Sequence, residues 1–223
     1  MIVTVNTLQQ EAIQNIKKLI INGNLKQGAR VNEVEVSTLL NMSRGPIRES
    51  LRILSQEGLV TYMPRKGMFV TSLEKEDIQE IYDIRFCLEK NAVELGYTHV
   101  SSKLVSELTV LVGQMEIASK EKQKDQLVQL DYEFHKKIIS LPNYKRLANN
   151  WESYTALIAL IFAEVFRLGS EKVEDIPRTH RVLVDALGSG DKEHFIQELK
   201  KHYLDGKVKL LSVWEKRETQ SQS

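Results

Sequence analysis

The chain has 223 residues, of which 42% are hydrophobic and 27% are charged. This length and composition exclude a disordered tail and a fibrous protein, and they predict one small and one medium globular domain. The chain has one cysteine, which excludes an intramolecular disulfide, and it shows neither a signal-peptide pattern nor a membrane-length apolar run, so we expect a cytoplasmic protein.

The net charge of +1 hides an asymmetry along the chain. Residues 1–72 carry nine lysines and arginines against five acidic residues, whereas residues 73–223 carry 22 against 25. The amino-terminal third therefore has a net charge of +4 and the remainder has −3. This local cationic surplus favours binding of a polyanion by the amino-terminal part.

The first sixty residues predict three short helices. Apolar residues at helical spacing mark the first of them, namely Leu8, Ala12, Ile13, Ile16, Leu19 and Ile20. Residues 32–35 resemble a capping box and open a second helix that extends through Leu40. Asn41 and Met42 then form a tight turn before Ser43, which can cap a third helix. This order of elements is that of a helix-turn-helix.

The third predicted helix has one cationic face and one apolar face. Arg44, Arg48 and Arg52 recur every four residues, so they form one stripe on a helix. The apolar residues on the opposite face are Ile47, Leu51 and Leu54. An arginine stripe alone is typical of a solvated helix face. Within a helix-turn-helix, the same stripe favours contact with DNA.

A β-hairpin is predicted directly after the third helix. Residues 59–62 and 68–70 are short β-prone runs, and residues 63–67 between them contain proline, two basic residues and glycine. A basic hairpin tip that follows a helix-turn-helix is typical of a wing that contacts phosphates or the minor groove.

Four segments in order make this region similar to a known family. Residues 28–33, 43–51, 57–60 and 65–70 resemble the winged helix-turn-helix of GntR-family bacterial transcription regulators. The resemblance implies a transcription regulator that binds double-stranded DNA. We expect a homodimer that places its two winged helices on the half-sites of a pseudo-palindromic operator.

The resemblance also implies DNA contacts at particular positions of this sequence. The positions that match the family's contacts are Ser43, Arg44, Arg48 and Gly67, and weaker candidates for backbone contacts are Arg30, Arg52, Arg65 and Lys66. Two positions depart from the family pattern: Gly45 stands where Thr is frequent, and Val34 stands where some members have an Arg. The base preference of a relative therefore cannot be carried over.

The polar run 71–77 offers a helix N-cap and acidic first-turn residues, and it predicts domains at residues 1–72 and 73–223. Helices in the second domain are expected at 78–92, 104–115, 125–140, 143–166, 178–187 and 192–214, with a polar, frayed tail after Lys216. Cys87 falls within the first of these helices and is expected to pack against its neighbours. The predicted fold class is mostly α: an N-terminal winged helix-turn-helix domain followed by an antiparallel α-helical bundle.

Four residues of the bundle predict a metal site. Asp131 and His135 are four residues apart, so a helix points both side chains the same way. His180 and His202 lie at similar heights on the last two predicted helices, which a hairpin at 188–191 brings side by side. Three imidazoles and one carboxylate suit Zn²⁺, Ni²⁺, Co²⁺ or Mn²⁺ with open coordination positions. The same spacing also arises by chance in helical proteins.

The second domain resembles the ligand-binding FCD domain of the FadR-type branch of the GntR family. The matching segments are 81–89, 131–135, 179–181 and 190–191 with His202 after them. In metal-containing members, the positions of the four residues above hold a divalent cation, and the effector is commonly a small carboxylate. Members without metal exist, including ones that bind acyl-CoA. Arg85 is the candidate that pairs with an effector carboxylate, or it forms an ordinary helix pair with Glu89.

Two other classes of function fit parts of the sequence. A metal-dependent hydrolase or isomerase would use the same three histidines and aspartate, with Glu133 as a general base. A helical interaction module would dock an acidic protein on the basic head. The sequence shows no phosphate-cradling glycine loop and no nucleophile elbow. We therefore expect a regulator, not an enzyme, whose effector changes the spacing or the orientation of the DNA-binding heads.

Overall fold

The computed structural model of the chain describes residues 3–167 and 175–221. It divides into two compact units, which are described separately here. The first unit comprises Met1–Glu74 and Ser153–Glu164, and the second comprises Lys75–Glu152 and Val165–Ser223. The domain boundary at residue 72 stays a prediction. Along the described ranges, no helix combines the length and apolar character needed to cross a bilayer.

The predicted fold class is confirmed, because the chain is mainly helical with one small hairpin near the amino terminus. The elements of the amino-terminal region are α1 (Val3–Ile21), α2 (Glu33–Leu39), α3 (Arg44–Gln56), β1 (Val60–Met63) and β2 (Gly67–Val70). They are followed by α4 (Lys75–Gly96), α5 (Ser102–Lys120), α6 (Lys124–Ile139), α7 (Lys145–Glu152), α8 (Thr155–Arg167), α9 (Asp175–Gly188) and α10 (Lys192–Ser221). A 3-10 turn at Tyr97–His99 follows α4.

In the helix-turn-helix, α2 begins with a side-chain cap and α3 buries its apolar face in the core. The Asn32 side chain accepts a hydrogen bond from the Val34 N–H at 3.0 Å and donates one to Glu35 at 2.9 Å. Ser43 occupies the N-cap position of α3, as predicted, but its side chain makes no capping hydrogen bond. The predicted apolar face is fully buried at Ile47, Leu51 and Leu54. This burial turns the opposite face of α3 toward solvent.

The wing is an antiparallel pair of strands with a third segment at its edge. Its register pairs Val60 with Val70 and Met63 with Gly67. Arg65 and Gly67 both have positive φ angles, of 62° and 102°, and this left-handed backbone closes the tight turn between the strands. The segment before α2 joins β2 through a bridge from Arg30 to Phe69. Arg30 is thereby fixed beside the hairpin.

The predicted helix over residues 143–166 is wrong in one respect, because it is two helices with a break at residues 153–154. Residues 153–164 belong to the first unit, where Leu157 packs over Gly58 and Gln27 donates a hydrogen bond to Glu164 at 3.3 Å. Trp151, before the break, is buried in a core cluster of the second unit. Helical periodicity continues through both pieces, so the pattern alone does not reveal the break.

The second unit is a helical bundle. Helix α10 packs against α4 and α9, helix α5 packs against α6 and α9, and α4 packs against α6. Ala92, Ile139 and Trp151 form one of its core clusters. The packing expected for Cys87 is wrong, because this residue is exposed on α4. Helix α10 also continues to Ser221, beyond the start of the predicted polar tail.

The close approach of Gly96 to the chain at Leu141 and Pro142 predicts a strong effect of a small substitution. A Cβ atom at Gly96 would lie 2.5 Å from Pro142 N and 2.6 Å from Leu141 C, so backbone must move. We expect Gly96→Ala to lower the free energy of unfolding by about 2 kcal/mol. The matched control is Gly113→Ala on α5, where a Cβ meets nothing within 4 Å and helix propensity gains up to about 1 kcal/mol. Urea unfolding measures both, and equal effects of the two variants would contradict the packing at Gly96.

Candidate nucleic-acid interface and metal centre

The three arginines of α3 form an exposed cationic stripe. Arg44, Arg48 and Arg52 are exposed, while the residues behind them are buried in the first unit. The stripe follows from a spacing of four residues on a helix whose other face enters the core. It has the charge and exposure that contact with a phosphate backbone requires.

Two of these arginines are paired with carboxylates of the same unit. Both Nε and Nη2 of Arg48 donate to Glu33 Oε2 on α2, at 3.1 and 3.0 Å. Arg52 donates to Glu49 on its own helix at 2.9 Å. Exposed ion pairs of this kind contribute little free energy, so phosphates or bases can replace the carboxylate partners.

A concave surface between α2, α3 and the hairpin collects half of the predicted DNA contacts. The residues that line it are Arg30, Val31, Asn32, Glu33, Glu35, Arg48, Arg52, Tyr62, Gly67 and Met68. Ser43 and Arg44 stand outside this lining, at the start of α3. Arg65 and Lys66 also stand outside it, exposed at the turn of the hairpin. Sequence periodicity does not predict the contact of Glu33 with Arg48, because the two residues are 15 positions apart.

The predicted metal ligands come together in the interior of the second unit. Helix α6 supplies Asp131 and His135, α9 supplies His180, and α10 supplies His202. One nitrogen of each of the three imidazoles lies within 4.8 Å of those of the other two. Asp131 Oδ1 lies 3.1 Å from His180 Nε2 and 3.8 Å from His135 Nε2. The four side chains therefore share one small volume.

Hydrogen bonds on the outer side of two rings define which nitrogen faces this volume. His135 Nδ1 lies 2.8 Å from Glu89 Oε2, and His180 Nδ1 lies 2.8 Å from the Ile176 carbonyl. The Ile176 carbonyl can only accept, so His180 Nδ1 carries a hydrogen, and Nε2 is the nitrogen on the side of Asp131. His180 Nε2 lies 3.1 Å from Asp131 Oδ1, so both atoms are close enough to share one bound cation or proton.

The electrostatics keep the acid charged and one imidazole neutral. Burial opposes ionisation of Asp131, but the neighbouring His135 and His180 rings and the Arg85 guanidinium hold its pKa well below its usual range. Burial, reinforced by the His180 and His135 rings, lowers the pKa of His202 well below 6.5. The ionised carboxylate of Asp131 and the neutral imidazole of His202 are the forms of these two groups that bind a divalent metal.

The donor set fits a divalent metal. Within the part of the chain that the structure describes, His180 Nε2 and His202 Nδ1 are buried and have no hydrogen-bond partner. Buried polar atoms without a partner are rare in native proteins and call for a bound ion or water. Three nitrogens and one carboxylate oxygen suit Zn²⁺ and Ni²⁺, and also Co²⁺ and Mn²⁺.

Arg85 lies near this cluster and is 2% exposed. Its guanidinium stacks on Trp151, with 4.3 Å from Cζ to the ring centroid. Its Nη2 is 3.7 Å from Glu89 Oε1, which is longer than a hydrogen bond. Among the described residues its Nε has no partner. The pair of Arg85 with Glu89, which the sequence offers as the alternative to effector binding, is therefore a buried ion pair without a direct hydrogen bond.

Glu133 is placed away from the histidine cluster. It lies two residues from both Asp131 and His135 on α6, which turns it to another side of the helix. Its carboxylate accepts a hydrogen bond from Gln129 at 2.9 Å. The metal-dependent hydrolase or isomerase reading, which used Glu133 as a general base, thus receives no support.

Comparison with known proteins gives two family matches. Residues 8–70 match the gntR family of bacterial regulatory proteins, and residues 80–205 match the FCD domain. The chain is 33% identical over 193 residues to the uncharacterized HTH-type transcriptional regulator YdhC of Bacillus subtilis (strain 168), covering 84% of each protein. It is 28% identical over 204 residues to the gluconate operon transcriptional repressor of Bacillus licheniformis, covering 89% of this chain and 83% of that protein.

The fold also has a solved counterpart. The structure of E. coli McbR/YncC aligns with a TM-score of 0.77 at 24% identity, over 92% of this chain and 97% of that one. At this identity the likeness establishes the fold. Together with the two domain matches and the relatives, it shows that the chain belongs to the GntR family of bacterial regulatory proteins, with an FCD domain, and that it is a transcriptional regulator and not an enzyme.

Proposed function

We propose that the protein is a repressor whose affinity for its operator is set by a small carboxylate bound at a divalent metal in the FCD domain. A homodimer would present two winged helices to the half-sites of a pseudo-palindromic operator. The proposed metal ligands are Asp131, His135, His180 and His202. The proposal also places the protein in the cytoplasm, where bacterial DNA lies.

The observation that carries the metal part is the convergence of three imidazole nitrogens within 4.8 Å of one another, with Asp131 Oδ1 3.1 Å from His180 Nε2. The buried Nδ1 of His202, without a partner in the described part of the chain, supports the same conclusion. A divalent ion bound there would supply a local positive charge that attracts an anionic ligand. Without an ion, the buried charges near the site are one positive (Arg85) and two negative (Glu89 and Asp131). A divalent cation should therefore bind before an anionic ligand does.

The choice of a carboxylate effector rests on Arg85 and on the relatives. The buried guanidinium has an Nε without a partner among the described residues, and a planar guanidinium binds carboxylates bidentately. One relative is a gluconate operon transcriptional repressor, and gluconate is itself a small hydroxy acid. We therefore propose a sugar acid or a similar small hydroxycarboxylate as the effector class, and repression as the sign of regulation.

The DNA part rests on the exposed basic residues of the first unit. The proposed contacts are Ser43, Arg44, Arg48 and Gly67, with Arg30, Arg52, Arg65 and Lys66 on the DNA backbone. Phosphate contacts fix register, and side chains that reach base edges supply specificity. An effector shifts operator affinity by its differential binding to the two arrangements of the dimer.

The whole proposal is tested by DNA binding of the purified, metal-loaded protein to fragments of its own genome. We expect specific retention of a fragment with a pseudo-palindromic site, and weaker retention when one sugar acid of a panel is added. Removal of the metal with a chelator should abolish the response to the acid. Specific retention that no acid or chelator changes would contradict the proposed regulation, whereas failure to retain any fragment would contradict DNA binding.

Arg85→Lys separates effector binding from metal binding. Lysine keeps the buried positive charge but loses the planar fork, so we expect about 10-fold or greater loss of sensitivity to the acid, on the scale of a bidentate charged hydrogen bond. Operator affinity measured in the absence of acid should stay unchanged, and the metal content of the protein should stay unchanged as well. The matched control is Arg181→Lys, since Arg181 is a partly exposed arginine of α9 paired with Glu116. An unchanged acid response in Arg85→Lys would remove Arg85 from the effector site.

A further inference from the structure

Glu89 is a buried carboxylate on which four side chains converge. It is 0% exposed on α4. Its Oε2 lies 2.8 Å from His135 Nδ1, within hydrogen-bond distance. Its Oε1 accepts from Trp151 Nε1 at 2.7 Å and from the Tyr203 hydroxyl at 2.5 Å. Arg85 Nη2 is 3.7 Å from the same Oε1.

Donors and a positive charge surround the Glu89 carboxylate. Trp151 Nε1 can only donate, the Tyr203 hydroxyl donates to the same Oε1, and the Arg85 guanidinium lies 3.7 Å from it. This arrangement suits the ionised carboxylate. An ionised carboxylate accepts hydrogen bonds and cannot donate them. The ring nitrogen that faces Glu89 must therefore carry a hydrogen.

We propose that Glu89 is a positioning residue that holds His135 in the Nδ1–H tautomer, so that the Nε2 lone pair faces Asp131 and the metal. This inference rests on the metal site of the proposed function. Nε2 of His135 already lies 3.8 Å from Asp131 Oδ1, and its ring centroid is 5.2 Å from that of His202. A carboxylate behind a ligating imidazole also raises the basicity of that ligand.

The contrast with His180 makes the role of Glu89 testable. The Nδ1 of His180 is held by the Ile176 carbonyl, which side-chain substitution leaves in place. The Nδ1 of His135 is held by a side chain, which can be replaced. The sequence pattern had assigned Glu89 only to Arg85, because the two are four residues apart on one helix. Its link to His135 spans 46 residues and has no local signal.

The test is Glu89→Gln. Trp151 and Tyr203 both donate to Oε1, so the amide oxygen of the glutamine should take that place and its NH₂ group should face His135. An NH₂ donor requires an acceptor at Nδ1, which moves the ring proton to Nε2 and removes the lone pair from the site. We expect Zn²⁺ affinity, measured by competition with a chelating dye, to fall about 10- to 100-fold.

Two further measurements test the role of Glu89 even if the Glu89→Gln protein does not fold. Imidazole nitrogen NMR of the metal-free wild-type protein should show His135 as the Nδ1–H tautomer, and an Nε2–H tautomer there overturns the inference. The control Tyr203→Phe removes one donor to Glu89 Oε1 and the longer, 3.5 Å contact of the same hydroxyl to His135 Nδ1, but it leaves Glu89 Oε2 beside His135 Nδ1. It should keep the wild-type tautomer and nearly the wild-type Zn²⁺ affinity.

The remaining outcomes separate this inference from the proposed function. A wild-type protein that binds neither Zn²⁺ nor Ni²⁺ overturns the proposed metal site and the role of Glu89 with it. A wild-type protein that binds Zn²⁺, together with a folded Glu89→Gln protein that binds it equally well, overturns the role of Glu89 alone. A similar loss of affinity in Tyr203→Phe also overturns it, because the contact to His135 would then not be the cause.

Discussion

His180→Ala is expected to remove the divalent ion that we propose for the FCD domain. The wild-type protein, purified without added metal or a chelating tag, should contain about one ion per chain. In the variant, Asp131 loses the imidazole whose Nε2 lies 3.1 Å away, and metal affinity should fall by about 100-fold or more, beyond the range seen for outer-sphere partners. Elemental analysis and titration with Zn²⁺ measure the change.

His202→Ala should give the same result, because its buried Nδ1 has no partner among the described residues. The matched control is His194→Ala, an exposed histidine on the same helix, which should keep its full metal content. Addition of chelator should lower the melting temperature of the wild-type and His194→Ala proteins, since ligand at 100 times its Kd stabilises the folded state by about 2.7 kcal/mol. An ion retained by both His180→Ala and His202→Ala would remove the proposed site.

Arg48→Ala and Arg44→Ala should each weaken operator binding by about 1 to 3 kcal/mol if the arginine reads a base edge, a loss of about 5- to 150-fold. Both side chains are exposed on α3, and Arg48 points two donors at Glu33. Bidentate donors of this kind match the acceptors of guanine in the major groove. Gel-shift titration on an operator fragment and on unrelated DNA measures the effect.

The salt dependence of binding distinguishes the two types of contact. Loss of a phosphate contact should reduce the slope of log affinity against log salt by about 1 and weaken all sequences equally. Loss of a base contact should weaken the operator more than unrelated DNA. The control is Arg178→Ala, an exposed arginine of the second unit, which should bind as the wild-type protein does. Unchanged binding by both α3 variants would contradict the assignment of this surface to DNA.

The winged head could be predicted closely because its signals are local. Asn32 caps α2 through contacts to residues two and three positions away, and the apolar face of α3 repeats at helical spacing. The hairpin is closed by a turn of a few residues with positive φ at Arg65 and Gly67. Short-range hydrogen bonds and periodic burial are properties that neighbouring residues determine.

For the bundle, the sequence predicts most positions of the helices, but it predicts the contacts between the helices less well. The predicted helix 143–166 is two helices, since its first part is buried in the second unit and residues 153–164 pack with the first. Cys87 is exposed where packing was expected, because a helical pattern leaves open which faces have partners. Glu89 acquired its contact to His135 from a helix far along the chain. Such contacts depend on the arrangement of helices, which periodicity does not encode.

The sequence by itself determined the order of the elements, the cationic stripe of α3 and the four residues of the candidate metal site, because these follow from spacing, charge and resemblance to the family. The tertiary structure decided which nitrogen of His180 faces Asp131 and which carboxylate stands behind His135. It also decided that Arg85 is buried against Trp151. Ring orientation and burial depend on atoms that packing brings together over long sequence separations, and they fix where protons reside and where a cation can bind.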